Sequence, residues 1–98
     1  MRFRLIFQPE AEGQLAILIN SPGLATRLKA VRKCLGHLEI NPRHPGLNTH
    51  KYSSLIGGSG EEVFEAYAEN KTAAAYRIFW HYGPGKNVIT VIAITPHP

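Results

Sequence analysis

The sequence holds a single cysteine, Cys34, so no disulfide can form within the chain. It holds no apolar run near the ~20 residues that a membrane-crossing helix needs. The opening MRFRLIF has neither the long apolar stretch nor the small-residue cleavage site of a secretory leader. These absences predict a cytoplasmic chain with no membrane span. No cysteine pair and no close His-x-x-x-His spacing supports zinc, and His44 and His50 are isolated. GGSG at 57–60 lacks the Lys-Ser/Thr ending of a phosphate-cradling loop and reads as a flexible hinge. No metal and no cofactor is therefore expected. Internal repeats and low-complexity tracts are absent as well.

Acidic residues are scarce in the first part of the chain. Residues 1–60 carry eight Lys/Arg against Glu10, Glu12 and Glu39, whereas residues 61–98 carry three against four. The net charge of +4 thus belongs to the first part, chiefly to RLKAVRK. Such a field suits a nucleic acid or an acidic protein. With 98 residues, 44% of them hydrophobic, the chain is long enough for one globular domain, 1–98, and too short for two.

FRLIFQ predicts a first strand over about 2–8. Pro9 suits the first turn of a helix, and Glu10 and Glu12 complement its positive end; this helix should cover 9–19. Ser21 and Pro22 offer a cap and a first residue for a second helix, to about Ile40. Leu24, Leu28, Val31, Leu35 and Leu38 form one apolar stripe on it, with Leu28 in the middle. Arg27, Lys29, Arg32 and Lys33 lie off the stripe, as a solvated face, a phosphate-facing face or a partner-facing one. Residues 43–60 read as a long irregular segment. Strands follow over about 62–69, 74–82 and 87–95.

The order β-α-α-β-β-β predicts an α+β domain. A helical hairpin should pack on one face of a mainly antiparallel four-stranded sheet, burying Leu28, Val31 and Leu35 against Ile78 and Trp80. Alternation puts Phe64, Ala66 and Ala68 toward the helices. Glu65, Tyr67, Glu69, Arg77, Phe79 and His81 fall on the other face, which should be open.

This element order and length, with AYRIFW on the middle strand of the meander, resembles the RelE/ParE superfamily of toxins from bacterial type II toxin–antitoxin pairs. The resemblance covers nearly the whole chain. It implies a cognate antitoxin as partner, and one of two activities. RelE-type members cut messenger RNA on the ribosome without a metal; ParE-type members poison DNA gyrase and are not nucleases. An inactive member of the family is a further alternative.

By position, Arg77 matches the arginine of the RelE-type site. The two lysine positions of that site fall at about Glu65 and Tyr67, so one charge is reversed. The C-terminal basic position falls near His97 or Pro98. The candidate catalytic residues are Arg77, His50, Lys51, His81 and His97. Arg77 binds a phosphate in one reading and pairs with Glu65 or Glu69 in the other. Histidine can serve as base or acid near neutral pH. Tyr52, Tyr67 and Arg43 are candidate RNA contacts, the tyrosines by stacking on bases. Tyr52 and His81 also have plain structural readings, as a side chain packed on the sheet and as a strand-end residue.

Overall fold

The computed structural model describes residues 2–97, and Pro98 lies outside the described residues. Strand β1 (Arg4–Phe7) leads into helix α1 (Pro9–Ile19) and, after a 3-10 turn at Pro22–Leu24, helix α2 (Ala25–Ile40). A second 3-10 turn at Pro45–Leu47 precedes β2 (His50–Ile56), β3 (Glu62–Tyr67), β4 (Tyr76–Tyr82) and β5 (Val88–Pro96). The five strands make one sheet in the order β1-β5-β4-β3-β2. Only β1 and β5 run parallel; the other neighbours are antiparallel.

The expected four strands are thus five. The extra one, β2, lies in the segment read as irregular. It is an edge strand, mostly exposed, and its pairing with β3 shifts register between Lys51 and Ile56. That leaves little alternation for a sequence pattern to reveal. The second helix also starts later than expected. Ser21 does not cap it; its hydroxyl donates back to the Ile17 carbonyl of α1.

The hairpin of α1 and α2 packs on the sheet face that carries Ala66, Ile78 and Trp80. Ala11 and Leu18 of α1 meet Val31, Cys34, Leu35 and Leu38 of α2 there. Leu28, expected at the centre of the stripe, is only half-buried, while Val31 and Leu38 are fully enclosed. Burial pushes the Cys34 thiol up to about 12, so it is an apolar filler and not a nucleophile. A bulge at Ile92 lets Ile89, Val91 and Ile94 of β5 all join this core despite their odd spacing.

The opposite face is not open. Val63, Phe79 and Ala93 form a second small core, with Tyr52 of β2 laid against Phe79 at 4.7 Å between ring centres. Glu65, Arg77, His81 and Thr90 on this face are buried too. The sheet curls, as twisted strands do, until the β2–β3 turn and β1 line one cleft. Edge-to-edge curling, not an added layer, is what covers the face.

Candidate functional site

Four glutamates follow one another through the acidic segment, and three of them have a close partner. Glu61 accepts the Ser59 backbone N–H at 2.9 Å and closes the β2–β3 turn. Its own backbone N–H first, and then the Ser59 bond, hold its carboxyl below the usual carboxylate range, with His81 adding a little. A methyl group at Gly57 would collide with this carboxylate, so the GGSG segment is a closed turn built around Glu61, not a hinge. Glu62 pairs with Lys51 at 3.3 Å on the exposed edge. Glu69, expected on the far face, instead turns toward the helices. It accepts from Arg27 of α2 at 3.0 Å and from the Tyr76 N–H at 3.1 Å. Arg27 also donates to the carbonyls of Ala73 and Ala74, so it clamps α2 to the β3–β4 turn.

Glu65 is the exception. Its Oε2 lies 3.6 Å from Arg77 Nε and 3.7 Å from His97 Nδ1, beyond hydrogen-bond reach of either. Glu65 Oε2 and Arg77 Nε are both buried, and neither has a hydrogen-bond partner among the described residues. Buried polar atoms left this way are uncommon and call for an explanation. Three strands bring the cluster together. Glu65 sits on β3, Arg77 on β4, and His97 just past β5, its backbone N–H fixed by the Ala75 carbonyl at 2.7 Å. The His97 side chain remains 51% exposed, whereas those of Glu65 and Arg77 are 9% and 7% exposed.

The Arg77 guanidinium is held from two further sides. Its Nη1 donates to the Glu69 carbonyl at 2.6 Å, and the Tyr67 ring covers its face at 3.7 Å. His50 stands opposite Glu65 in register and meets the Tyr67 ring edge-on at 5.5 Å. Arg77, His97, His50 and Tyr67 are therefore brought together, with Glu65 at their centre.

The other candidates lie elsewhere. Lys51 is an exposed edge residue engaged by Glu62. Tyr52 is packed on Phe79. His81 is buried, its Nδ1 2.7 Å from the Tyr82 carbonyl, which fixes the proton on Nδ1 in the neutral ring and turns Nε2 into the acceptor. It lines a cleft of about 320 Å³ with Glu61 and Thr90. Arg43 lines a cleft on the helix side of the sheet, with Phe64 and Trp80. Glu65 was not among the candidate catalytic residues. Its charge looked like a reversal of the expected lysine, yet alternation already placed it beside Arg77.

A carboxylate, a guanidinium and an imidazole around one point can take a proton, hold an anion and return a proton. No group of three or more His, Cys, Asp or Glu is placed to bind a metal among the described residues. No described helix is long and apolar enough to cross a membrane.

No protein-family model and no curated protein matches the sequence. Solved structures do. A YoeB/ParE toxin from Agrobacterium tumefaciens superposes with a TM-score of 0.72 at 10% identity, over 98% of this chain and 100% of that one. The YoeB dimer from Staphylococcus aureus gives 0.64 at 14% identity, over the full length of both chains. The archaeal RelE–RelB complex from Pyrococcus horikoshii OT3 gives 0.66 at 16% identity, over 98% of this chain and 96% of that one. At these identities the likeness is one of architecture, and it agrees with the strand order, the helical hairpin and the length: the chain has the RelE/ParE-type toxin fold.

Proposed function

We propose that this chain is the toxin of a toxin–antitoxin pair and that it cleaves RNA without a metal, with messenger RNA on the ribosome as its target. The observation that carries the reading is the meeting of Glu65, Arg77 and His97 around two buried, unpartnered polar atoms. In the reaction, Glu65 accepts the proton of the RNA 2′-hydroxyl. The freed oxygen attacks the adjacent phosphorus, and Arg77 offsets the charge that builds on the phosphate oxygens. Protonated His97 gives its proton to the departing 5′-oxygen. The products are a 2′,3′-cyclic phosphate and a 5′-hydroxyl end, and solvent restores Glu65 and His97. Tyr67 must swing off Arg77 for a phosphate to enter, which leaves its ring and His50 free to stack on bases. Lys51, Tyr52, His81 and Arg43 have no part in proton transfer in this scheme. An antitoxin would bind the basic helices or the far sheet face; the RelE relative named above is in complex with RelB.

One observation favours a second reading. Arg77 is already engaged by the Glu69 carbonyl and the Tyr67 ring, as a purely structural arginine would be. The chain would then inhibit a protein such as DNA gyrase without catalysis. Induction in cells separates the two. Cleavage predicts growth arrest with cut messenger RNA, relief by Arg77→Ala in a folded protein, and neutralisation by the product of an adjacent short gene. Arrest with intact messenger RNA, unchanged by Arg77→Ala, would give the case to the second reading. Absence of arrest would overturn both.

A further inference from the structure

The helix side of the sheet carries a second cleft, remote in the fold from the Glu65 cluster because β3 and β4 present alternate residues to opposite faces. Its volume is about 440 Å³, within the range of small-molecule sites. Arg43 and His44 from the turn after α2, Thr49, and the rings of Phe64, Trp80 and Tyr82 line it. No lining residue is acidic.

Two kinds of surface meet there. The turn supplies donors. His44 Nδ1 accepts the Gly46 N–H at 2.9 Å, so its Nε2 carries the proton in the neutral ring and is a donor, and Arg43 lines the same cleft. The sheet supplies aromatic walls. Tyr82 meets Trp80 at 4.9 Å and 80°, Phe64 at 5.8 Å and 76°, and Phe3 at 6.1 Å and 54°, so none of the three is stacked flat on it. Tyr82 remains 41% exposed, with ring surface to spare for a stacking partner. Two of the lining residues each carry a buried polar atom, Trp80 Nε1 and Thr49 Oγ1, and neither has a hydrogen-bond partner among the described residues. Trp80 as a whole is only 1% exposed, so its indole N–H is a committed donor with nothing to donate to.

We propose that this cleft binds a nucleotide, its base against Tyr82 and Phe64 and its phosphate at Arg43 and His44. A nucleotide offers a planar ring, ring acceptors and an anion at once. An acidic peptide side chain would satisfy Arg43 and His44 but would leave the aromatic walls and the buried donors without partners. The inference does not depend on cleavage at the Glu65 cluster.

Trp80 is the single tryptophan of the chain, so its fluorescence reports on the cleft directly. The test titrates the whole protein with AMP, GMP, CMP and UMP, with inorganic phosphate, and with a short poly-glutamate peptide. Saturable quenching by at least one mononucleotide at sub-millimolar concentration is expected, with phosphate alone far weaker. Arg43→Ala should weaken binding by about tenfold or more, the usual loss for a charged hydrogen bond. Arg43 is exposed, so that variant should keep its fold, which far-UV circular dichroism would verify. Tyr82→Leu should weaken the nucleotide and leave phosphate unchanged. Lys71→Asn, a change of equal charge in the exposed β3–β4 turn whose positive φ asparagine tolerates, should alter nothing. Arg77→Ala should keep the Trp80 quenching, since Arg77 lies on the opposite sheet face; loss of quenching there would place the nucleotide at the Glu65 cluster and overturn the proposal. The proposal falls if no mononucleotide quenches saturably, if phosphate binds as tightly as nucleotide, if the acidic peptide alone binds, or if Arg43→Ala binds as the parent does.

Discussion

Glu65→Gln removes one negative charge from a side chain that is 9% exposed and faces a guanidinium that is 7% exposed. Breaking a buried ion pair by losing one partner costs about 3–5 kcal/mol when the other charge is left alone. Here the pair is 3.6 Å apart without a hydrogen bond, and Arg77 keeps the Glu69 carbonyl at 2.6 Å and the Tyr67 ring at 3.7 Å. The expected loss is therefore smaller, about 1–3 kcal/mol. Cleavage should fall much further, by ~10²–10⁴-fold, because the amide cannot take the 2′-proton. The double change Glu65→Gln with Arg77→Met separates the two effects. With no charge left unpaired, stability should return to within about 1 kcal/mol of the parent, while cleavage stays absent. Urea unfolding followed by Trp80 fluorescence gives the stability, and defined messenger RNA on ribosomes gives the rate. Parent-level cleavage by the folded double variant would refute the assignment of Glu65 and Arg77. A loss of stability below about 0.5 kcal/mol in the single variant would refute the pairing itself.

Arg27→Ala should cost about 2–3 kcal/mol, since it leaves a nearly buried Glu69 with one donor and frees two carbonyls, though partial exposure of Arg27 moderates the loss; an unchanged unfolding midpoint would mean that the clamp is idle. Leu38→Ala should cost about 2–5 kcal/mol and Leu28→Ala clearly less, because Leu38 is enclosed and Leu28 is at the margin; the reverse order in urea unfolding would contradict the packing. His37 stacks on His44 at 4.0 Å, and its pKa is lowered first by burial, then by His44 and Lys33. A depressed folded value means that its contribution to stability is present above the ordinary histidine range and is lost as pH falls through the lowered midpoint. Nuclear magnetic resonance titration should show the His37 midpoint rising in His44→Asn, and a midpoint that stays put would remove His44 as a cause.

The apolar stripe of α2 and the alternation of β3 and β4 were legible because the large apolar residues facing the main core recur at the helical and strand periods. The same parity puts Glu65 and Arg77 on one face. Three things were not legible. Strand β2 carries too few buried residues to leave a period, and its register shift breaks what period there is. The curl of the sheet is a property of the whole assembly, so nothing local announced that Arg77 and His81 would be buried. Glu69 follows a local irregularity in which the N–H groups of Ala68 and Glu69 both donate to the Tyr76 carbonyl, and that turns it away from the face its position implied. The resemblance cast Glu65 as a missing lysine, whereas the structure sets this carboxylate between Arg77 and His97.

Strand β5 is the last of the five in chain order and yet lies inside the sheet, between β1 and β4. Until it is in place, β1 has no strand beside it, since Arg4 to Phe7 pair only with Val88 to Val91. A growing chain can form its helical hairpin and the β2–β3–β4 meander from nearby segments, and α2 can already rest on β4 and the β3–β4 turn, but β1 and the sheet contacts of α1 wait for β5. Contacts spanning so much of the chain are slow to find. His97 follows β5 directly, so it reaches Glu65 only once β5 is seated between β1 and β4, and a chain interrupted before Val88 holds Glu65 and Arg77 without the His97 imidazole.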